Sequence, residues 1–258
     1  MSPARQRRPL TAAEEPFLIV RSQAADLSGG FVIETHEHPW HQLLWACSGA
    51  MTVTGGRASW MVPPGKSVFL PAGIPHSIHM WGKVGFRSLY FPASLNATAL
   101  EGSECRVLSV TPLLRELILR IIEVGALDGR ISAHRNLSSV LLEEMALAPV
   151  TPVSLPLPED PRARKVAGHI LSCPSSGDSI DALARRYGAS RRTLERLFRR
   201  QTGLSFGMWR QKARLLDSIR LLAEGKSVTE AAFDSGYAGV SAFVAAFKRT
   251  FGYTPGRL

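Results

Sequence analysis

The sequence predicts an α+β protein of two domains, a β-barrel with trailing helices at the N-terminus and an all-helical domain at the C-terminus. Between Phe31 and Phe91, short apolar runs alternate with turn residues, which is the spacing of an antiparallel sandwich or barrel. From Thr111 onward the apolar residues follow a helical period. Five prolines fall between Pro149 and Pro161, a density that forbids helix and favours an extended connection.

The proline-rich stretch sets the predicted domain boundaries. We expect a disordered tail at residues 1–16 and a barrel domain with its helices at residues 17–148. A linker is expected at residues 149–160, followed by the helical domain at residues 161–258.

Two helices are predicted after the barrel strands. Thr111 can cap the first one with Pro112 at its first position, and residues 113–122 form a broad apolar face. The second is expected around residues 137–145. Either helix can pack on the barrel as ordinary core or supply the seam of a dimer, and the sequence leaves both alternatives open.

The positive charge of the chain is concentrated near its C-terminal end. The 258 residues have a formal net charge of +10, with 13 basic and 12 acidic side chains before Glu159 and 18 basic and 9 acidic ones from there on. This asymmetry indicates a polyanionic partner for the C-terminal domain alone. Three cysteines without a CxxC pair, a polar and acidic N-terminal region and the lack of a long apolar run predict a cytoplasmic protein with no membrane partner.

Residues 179–200 divide into a short helix, a turn and a second helix. Gly188 supplies the turn and Ser190 can cap the second helix. The apolar stripe of that helix consists of Leu194, Leu197 and Phe198, and its outward residues are Arg191, Arg192, Thr193, Glu195, Arg196, Arg199 and Arg200. A recognition helix needs this division, because one side holds it to the domain while the other enters the major groove of DNA.

A second copy of this arrangement follows. Residues 227–230 have capping-box spacing, Gly236 makes the turn, and the apolar stripe is repeated before Lys248 and Arg249. Residues 206–224 are predicted to form one helix that joins the two units. Such a connector can set two recognition helices into successive major-groove turns, roughly 34 Å apart.

Both units resemble a known DNA-binding domain. The run TLERLFRRQTGLSFGMW and the later run KSVTEAAFDSGYAGVSAFVAAFKRTFGYTP resemble that domain of the arabinose-regulator (AraC/XylS) family over about a hundred residues. The resemblance implies a transcription regulator that binds double-stranded promoter DNA in a sequence-specific way. It places base contacts at Arg192, Glu195 and Arg196 in the first unit, and at Val240, Ser241, Ala242 and Ala245 in the second.

The side-chain chemistry makes the two units unequal. Arg192 and Arg196 can each donate paired hydrogen bonds to guanine, and Glu195 can accept one from cytosine. The apolar residues of the second unit offer contacts such as those to a thymine methyl group, and Gly239 lacks a capping oxygen. We therefore expect the first helix to carry most of the sequence specificity and the second to position the protein.

Five of the seven histidines fall within 44 residues of the barrel, namely His36, His38, His41, His76 and His79. His36 and His38, two apart on a predicted strand, should share a face, and His76 can return to that face from another strand. No cofactor is certain from the sequence. Converging imidazoles can nevertheless bind a divalent transition metal such as Zn²⁺, Ni²⁺, Fe²⁺ or Mn²⁺.

The pattern HEHPWHQLLWACSG followed by PPGKSVFLPAGIPH resembles the two motifs of cupin barrels, with which many arabinose-type regulators begin. The resemblance maps a metal site to His36, His38 and His76, and it puts Gln42 at or near the place of the usual ligand Glu. A neutral amide is a poorer ligand than a carboxylate, so a metal-binding and a metal-free cupin-like barrel both remain open. His41 is a candidate replacement ligand.

Four of the five tryptophans lie in the barrel half. Trp40, Trp45, Trp60 and Trp81, together with Gln42, can line the barrel mouth as a pocket for a small apolar or aromatic effector. Individually, each tryptophan can instead pack in the core.

These observations predict a regulator whose barrel senses a small molecule or a metal and whose C-terminal domain binds DNA. A homodimer and a contact with RNA polymerase are further expectations. The competing hypothesis is a cupin metalloenzyme of the dioxygenase or isomerase type that its basic domain tethers to DNA. An enzyme needs an acid or base near the metal, and only Glu34 and Glu37 are close in sequence, so we expect no enzymatic activity.

Overall fold

The computed structural model describes residues 17–55, 58–94, 105–149 and 154–257. The tail expected to be disordered, residues 1–16, lies outside the described residues. Two antiparallel sheets with two helices form the N-terminal domain, and a helical domain follows. The α+β class with two domains is therefore confirmed.

The N-terminal domain is built from two facing sheets. Its strands are β1 (Leu18–Leu27), β2 (Val32–His36), β3 (Trp40–Ala46), β4 (Ala50–Gly55), β5 (Ala58–Val62), β6 (Lys66–Leu70), β7 (His76–Trp81), β8 (Val84–Pro92), β9 (Arg106–Ser109), β10 (Ala126–Asp128) and β11 (Ser154–Pro156). One sheet has the order β10-β1-β8-β3-β6-β9 and the other the order β11-β5-β4-β7-β2, with antiparallel pairing in both. The strands predicted between residues 31 and 91 are confirmed, and β1, β9, β10 and β11 add to them.

The inner faces of the two sheets form the apolar core of the barrel. Met51 and Val53 on β4 and Ile78 on β7 are almost completely buried, and Val53 lies directly opposite Ile78 in the sheet register. Leu44 and Phe86 belong to the same cluster and come from the other sheet. Large side chains therefore fill the middle of the barrel, and the polar inward residues described below lie toward one end.

Two helices, α1 (Pro112–Val124) and α2 (Ser132–Leu147), cover the outer face of the six-stranded sheet. As predicted, Thr111 caps α1 by accepting a hydrogen bond from the backbone N–H of Leu114 at 3.1 Å, with Pro112 at the first position. The inward apolar residues of both helices belong to one buried cluster with this sheet. Core packing is therefore confirmed for their inward faces.

The C-terminal domain consists of helices. They are α3 (Pro161–Ser172), α4 (Ile180–Arg186), α5 (Arg191–Thr202), α6 (Phe206–Ala223), α7 (Val228–Asp234) and α8 (Val240–Phe251), with a short 3-10 helix at Pro255–Arg257. Both predicted helix-turn-helix units, α4–α5 and α7–α8, and the joining helix α6 are confirmed. Gly188 and Gly236 make their turns at φ of 69° and 82°, a region that glycine enters without a steric penalty. Among the described residues, no helix is both long and apolar enough to cross a lipid bilayer.

The connection between the domains is held by both of them. Residues 154–156 form β11, which pairs with β5 at the edge of the five-stranded sheet. The carbonyl oxygen of Pro156 accepts a hydrogen bond from Trp209 Nε1 on α6 at 2.7 Å. Gln201 Oε1 on α5 accepts from the backbone N–H groups of Glu159 and Asp160. The predicted extended conformation thus occurs in these residues as a strand of the sheet.

Candidate functional site

Three histidine rings converge at one end of the barrel. The ring centroids of His36 and His76 are 4.4 Å apart, those of His38 and His76 5.1 Å, and those of His36 and His38 5.9 Å. One ring nitrogen from each residue lies within 4.8 Å of the others. The register of β2 and β7 places His36 directly opposite His76. We call this group the three-histidine site.

His38 reaches the site by a route that the sequence analysis did not predict. β2 ends at His36, so His38 lies in the connection to β3 rather than two positions along the same strand. Its Nδ1 donates to the carbonyl oxygen of Trp40 at 2.8 Å, which fixes the ring within this connection. The rings of His36 and His38 therefore meet because the chain turns.

Each of the three rings has its Nδ1 2.8 Å from a backbone carbonyl oxygen. The pairs are His36 with Glu34, His38 with Trp40, and His76 with Ile74. Because a carbonyl oxygen only accepts, each Nδ1 must carry a proton and donate it. In a neutral ring, Nε2 then has a free lone pair and can act as a ligand. Metal-binding histidines are oriented in this way, with the second nitrogen fixed by an outer hydrogen bond.

His76 is the most buried member of the three-histidine site. Its side chain is 1% exposed, and its Nε2 has no hydrogen-bond partner among the described residues. Burial is the main cause that lowers the pKa of His76 to about 4, and the neighbouring His36 and His38 act in the same direction. His76 is therefore neutral at pH 7 and presents an unsatisfied acceptor inside the barrel.

Gln42 lies next to the histidines and is almost fully buried. Its Nε2 donates to Ser88 Oγ at 2.9 Å, and its Oε1 lies 3.1 Å from His38 Nε2. Nδ1 of His38 already donates to Trp40, so the Nε2 lone pair of the neutral ring faces the Gln42 amide, which can turn either its oxygen or its NH2 group toward it. Together with His36 and His76, His38 offers a ring nitrogen within reach of one ion, so the donors present fit a metal cation.

His41 is separated from the three-histidine site by the strand that carries it. Its Nδ1 accepts a hydrogen bond from the backbone N–H of Ala72 at 3.0 Å, and its ring lies 5.5 Å from the ring of Phe69. Phe69 belongs to the helix-covered outer face of the sheet. His41 is therefore not a replacement ligand, because neighbouring residues of a strand point to opposite faces.

The four tryptophans do not surround one pocket. Trp45 is 4% exposed and packs beneath α1 and α2, whereas Trp60 is part of the barrel core. Trp40 is buried at the start of β3, and Trp81 lies half-buried at the end of β7. The expected tryptophan-lined barrel mouth is wrong, because the strands distribute these side chains over different faces of the sheets.

The outward face of α5 is exposed and strongly basic. Its exposed residues are Arg191, Arg192, Glu195, Arg196, Arg199 and Arg200, with Thr193 half-buried beside them. The helix is anchored on its other side by Leu194, Leu197 and Phe198, and Ser190 caps it by accepting from the N–H of Thr193 at 3.1 Å. In the free protein Arg191 Nε donates to Glu195 Oε1 at 3.0 Å. Because an exposed pair of this kind contributes only about 0.3–0.5 kcal/mol, it can open readily when either partner meets a base.

The corresponding face of α8 is smaller and carries less charge. Ser241, Ala242 and Ala245 are exposed and Val240 is half-buried, while Lys248 and Arg249 are exposed in the last turn. Gly239 occupies the N-cap in an extended conformation and makes no side-chain cap hydrogen bond. The first turns of α8 therefore present a nearly uncharged surface.

The two halves of the chain match two families of known domains. Residues 23–147 match the AraC-like ligand binding domain, and residues 183–258 match a helix-turn-helix domain. The HTH-type transcriptional regulator NimR of Escherichia coli (strain K12) is 32% identical over 222 residues, which cover 86% of this chain and 80% of NimR. The chain belongs to the AraC family of DNA-binding transcription regulators.

Other AraC-type proteins match shorter or more distantly. RipA of Corynebacterium glutamicum is 39% identical over 100 residues, which are 39% of this chain and 30% of RipA. ToxT of Vibrio cholerae with a bound unsaturated fatty acid is 14% identical, with a TM-score of 0.39 over 93% of this chain and 94% of ToxT. The DNA-binding domain of AdpA in complex with a target DNA is 31% identical, with a TM-score of 0.35 over 37% of this chain and 87% of that domain.

The contact surface between the two domains of this AraC-family protein was not predicted from the sequence. A cavity of about 570 Å³ lies between the outer face of the five-stranded sheet and α6. Its lining includes Thr52, His79 and Trp81 from the sheet, Leu171 from α3, and Leu216 and Arg220 from α6. The strand period of two was the available signal, because it places His79 and Trp81 on the face opposite to His76.

Tyr90 lies beside the three-histidine site and was not predicted from the sequence. Its ring lies 5.5 Å from that of His38, and its hydroxyl donates to Gln23 Oε1 at 3.1 Å. Burial raises the pKa of Tyr90, so the phenol is neutral near pH 7. No local sequence pattern predicts this position of Tyr90, because the pairing of β8 with β3 brings the residue to the site.

Proposed function

We propose that this AraC-family regulator responds to a divalent transition metal bound by His36, His38 and His76. The observation that carries the proposal is the orientation of the three imidazoles, each with its Nδ1 proton committed to a carbonyl oxygen. The unsatisfied Nε2 of the buried His76 adds support. A cation at this place gives that nitrogen a partner.

The donor set favours particular ions. Three neutral imidazole nitrogens suit Zn²⁺, Ni²⁺ and Fe²⁺, whereas Mn²⁺ prefers oxygen ligands. We therefore place Zn²⁺ and Ni²⁺ before Fe²⁺ and Mn²⁺. His36, His38 and His76 would hold the ion, with the amide oxygen of Gln42 beside His38. The bound ion would supply positive charge that draws the three rings together.

We propose a regulatory rather than a catalytic role for the ion. Glu34 and Glu37, the carboxylates nearest in sequence, are exposed and lie outside the group of described residues that can hold a metal. A metalloenzyme needs an acid or base within hydrogen-bond reach of the reacting group. Turnover by the metal-loaded protein on candidate substrates would contradict this role.

We propose that α5 and α8 make the promoter contacts. Arg192 and Arg196 are exposed one helical turn apart on α5 and form no ion pair with another described residue. They are therefore free to donate to guanine, whereas Glu195 first has to leave Arg191. Arg199, Arg200, Lys248 and Arg249 lie in the last turns of the two helices and are offered as phosphate contacts, because Arg and Lys side chains are common donors to phosphate oxygens.

We also propose a homodimer through α1 and α2. Leu113, Val140 and Leu147 are 50%, 42% and 79% exposed. Thr111 Oγ1 donates to Glu144 Oε2 at 3.1 Å, which places the start of α1 beside the last turns of α2. Leu113 and Leu147 therefore lie at the same end of the helix pair. Sedimentation analysis should show a dimer that Leu147→Glu weakens, and an unchanged dimer in that variant would exclude this surface.

The metal proposal is tested by dialysing the purified protein against Zn²⁺ or Ni²⁺ and measuring bound metal. About one ion per chain is expected, and His76→Ala should reduce it to the background level. DNA sites are then selected from a random pool at a stated salt concentration, with and without the ion. A defined motif spanning two helical turns, with an affinity that the ion changes, supports the proposal. Protein that binds no metal contradicts it.

A variant at Gln42 tests the proposed ligand set by strengthening metal binding, whereas His76→Ala weakens it. Gln42→Glu replaces a neutral amide with a carboxylate of almost the same shape and should raise the affinity for Zn²⁺ at least tenfold. Gln23→Glu is the matched control, because Gln23 is exposed and its side chain accepts a hydrogen bond from Tyr90. If both variants raise the affinity equally, the carboxylate acts through its field and Gln42 is not at the metal.

A further inference from the structure

β7 joins the three-histidine site to the DNA-binding domain within a single strand. His76, Ile78 and Met80 are buried toward the barrel, whereas the alternate residues His79 and Trp81 lie on the outer face. At roughly 3.3 Å per residue, the five steps from His76 to Trp81 span about 17 Å. One end of β7 thus carries a histidine of the site, and the other end meets α6.

β7 and α6 touch at Gly82, beside the cavity that Trp81 and Arg220 line. Gly82 follows β7 at φ 66°, and a Cβ added there would lie 2.5 Å from the carbonyl oxygen of Ala223 at the end of α6. The guanidinium of Arg220 lies 5.1 Å from the ring centroid of Trp81. Trp81 is itself fixed, because its Nε1 donates to Thr52 Oγ1 at 2.8 Å and its ring stacks on His79 at 3.8 Å.

Arg220 is held in place from its own helix. Its Nε donates to Asp217 Oδ1 at 2.6 Å, and its Nη1 donates to Glu224 Oε2 at 2.7 Å. These ion pairs span one turn on each side of Arg220 and fix its guanidinium plane near Trp81. A displacement of Trp81 would therefore move α6 as a whole, because the side chain of Arg220 is not free to reorient.

α6 is the element through which such a push reaches both DNA-binding units. It begins shortly after α5 ends at Thr202, and it ends at Ala223, shortly before α7 begins at Val228. Trp209 and Leu216 of α6 lie in the same apolar cluster as residues of α5 and α8. A rotation of α6 relative to the sheet therefore carries the two recognition helices together.

The opposite end of β7 lies beside the edge of the sheet. Its outer neighbour β2 is the edge strand of the sheet and has an irregular register between Ile33 and His36. Drawing His36 and His38 toward His76 changes this edge without disrupting the interior pairing of β7 with β4. At Gly82 the backbone of the chain touches α6 with no side chain between them, so a shift of β7 is passed on at this contact.

We propose that β7 transmits occupancy of the three-histidine site to the DNA-binding domain through the Gly82–Ala223 and Trp81–Arg220 contacts with α6. This inference rests on the metal response proposed above. It assigns Gly82 and Arg220 as coupling residues that touch neither metal nor DNA. Coupling between distinct sites typically changes affinity 5- to 150-fold.

The experiment measures the dissociation constant of the full-length protein for a selected duplex with and without Zn²⁺. The wild type should show a ratio of at least fivefold. Gly82→Ala forces a Cβ against Ala223, and Arg220→Lys keeps the positive charge but removes the flat guanidinium from Trp81. Both variants should bring the ratio to within twofold of one, while direct titration shows Zn²⁺ affinity within about threefold of the wild type.

Gly65→Ala is the matched control. Gly65 has a φ of 81°, and a Cβ there would meet nothing within 4 Å, so the variant introduces similar backbone strain far from α6. It should keep the wild-type ratio. If Gly82→Ala does not fold, Arg220→Lys alone decides.

The outcomes separate the two proposals. A wild-type ratio of one contradicts the metal response itself and the inference with it. A wild-type ratio that persists in Gly82→Ala or in Arg220→Lys overturns the inference alone. Loss of the ratio in Gly65→Ala as well overturns it too, because general strain then explains the effect.

Discussion

The two helix-turn-helix units share one scaffold and differ in the surface they offer to DNA. Both place a glycine in the left-handed region at the turn and bury an apolar stripe of the second helix. α5 exposes basic residues from its first turn to its last, whereas the basic residues of α8, Lys248 and Arg249, lie in its last turn. The fold therefore fixes where a recognition helix lies, and the outward residues decide what it can distinguish.

The units also differ in how their recognition helices begin. Ser190 caps α5 through its side chain, whereas Gly239 leaves the corresponding N–H groups of α8 without a side-chain acceptor. Among the shorter first helices, the second unit has the stronger cap. α7 has a full capping box, whereas α4 is capped by the Ser179 side chain alone. Helix-end stabilisation and base-reading chemistry are thus distributed independently between the units.

The largest expected effect is the loss of base reading at α5. Arg196→Ala should cost about 1–3 kcal/mol on the preferred site and relax the preference at one base pair. Anisotropy titrations on duplexes that vary one position at a time measure both quantities. Ser241→Ala in α8 is the comparison variant and should cost no more than about 1 kcal/mol. An equal loss on all sequences for Arg196→Ala would show that this residue contacts phosphate only.

A smaller effect is expected at Lys248 of α8, which we propose contacts the DNA backbone. Lys248→Ala should weaken binding by about 1 kcal/mol at 0.15 M salt on every sequence and reduce the salt slope by about 1. Titrations at several salt concentrations, on a selected site and on an unrelated duplex, provide the measurement. A change confined to the selected site would mean that α8 reads bases, the role proposed for α5.

The cap of α5 should contribute to stability rather than to recognition. Ser190→Ala removes the acceptor for the N–H of Thr193 and should lower the free energy of unfolding by about 1 kcal/mol. Urea denaturation with an unchanged slope measures this change. A stability equal to that of the wild type would show that solvent replaces the cap at no cost.

The smallest effect is expected from giving α8 the cap that it lacks. Gly239 has an extended φ of −168° that any residue adopts, so Gly239→Ser introduces no backbone strain. The added hydroxyl should raise the free energy of unfolding by a few tenths of a kcal/mol. Ser190→Gly is expected to lower the free energy of unfolding by a similar amount. Comparing the two variants shows whether an N-cap side chain contributes equally to stability in α5 and α8.

The helical domain was predictable almost residue by residue because its signals are local. Gly188, Ser190 and Gly236 act on their immediate neighbours, and their positions in the sequence determine the turns and caps found in the structure. The barrel was predictable as a class but not in its pairing. Nothing within a strand reveals which distant strand lies beside it, so Tyr90 and Ser88 could not be placed next to Gln42.

Strand alternation was available in the sequence and decided several outcomes. It separates His41 from the three-histidine site and sends Trp45 toward the helices that cover the six-stranded sheet. The sequence placed His36 and His38 on one strand, whereas the strand ends at His36. The three histidines nevertheless lie together as predicted, because His38 follows closely enough in the connection to reach the same place. The interface with α6 depends on the packing of two domains, which no local pattern encodes.

β11 determines how the two halves of this chain can be separated or exchanged. Leu155 is buried in the apolar cluster that contains Trp209, and Pro156 provides the acceptor for the indole N–H of Trp209. A fragment that begins at Pro161 would lose both, and a buried donor without a partner costs about 1–3 kcal/mol. Transplanting the DNA-binding domain onto another sensor therefore requires that residues 154–160 move with it, together with a sheet edge for them to join.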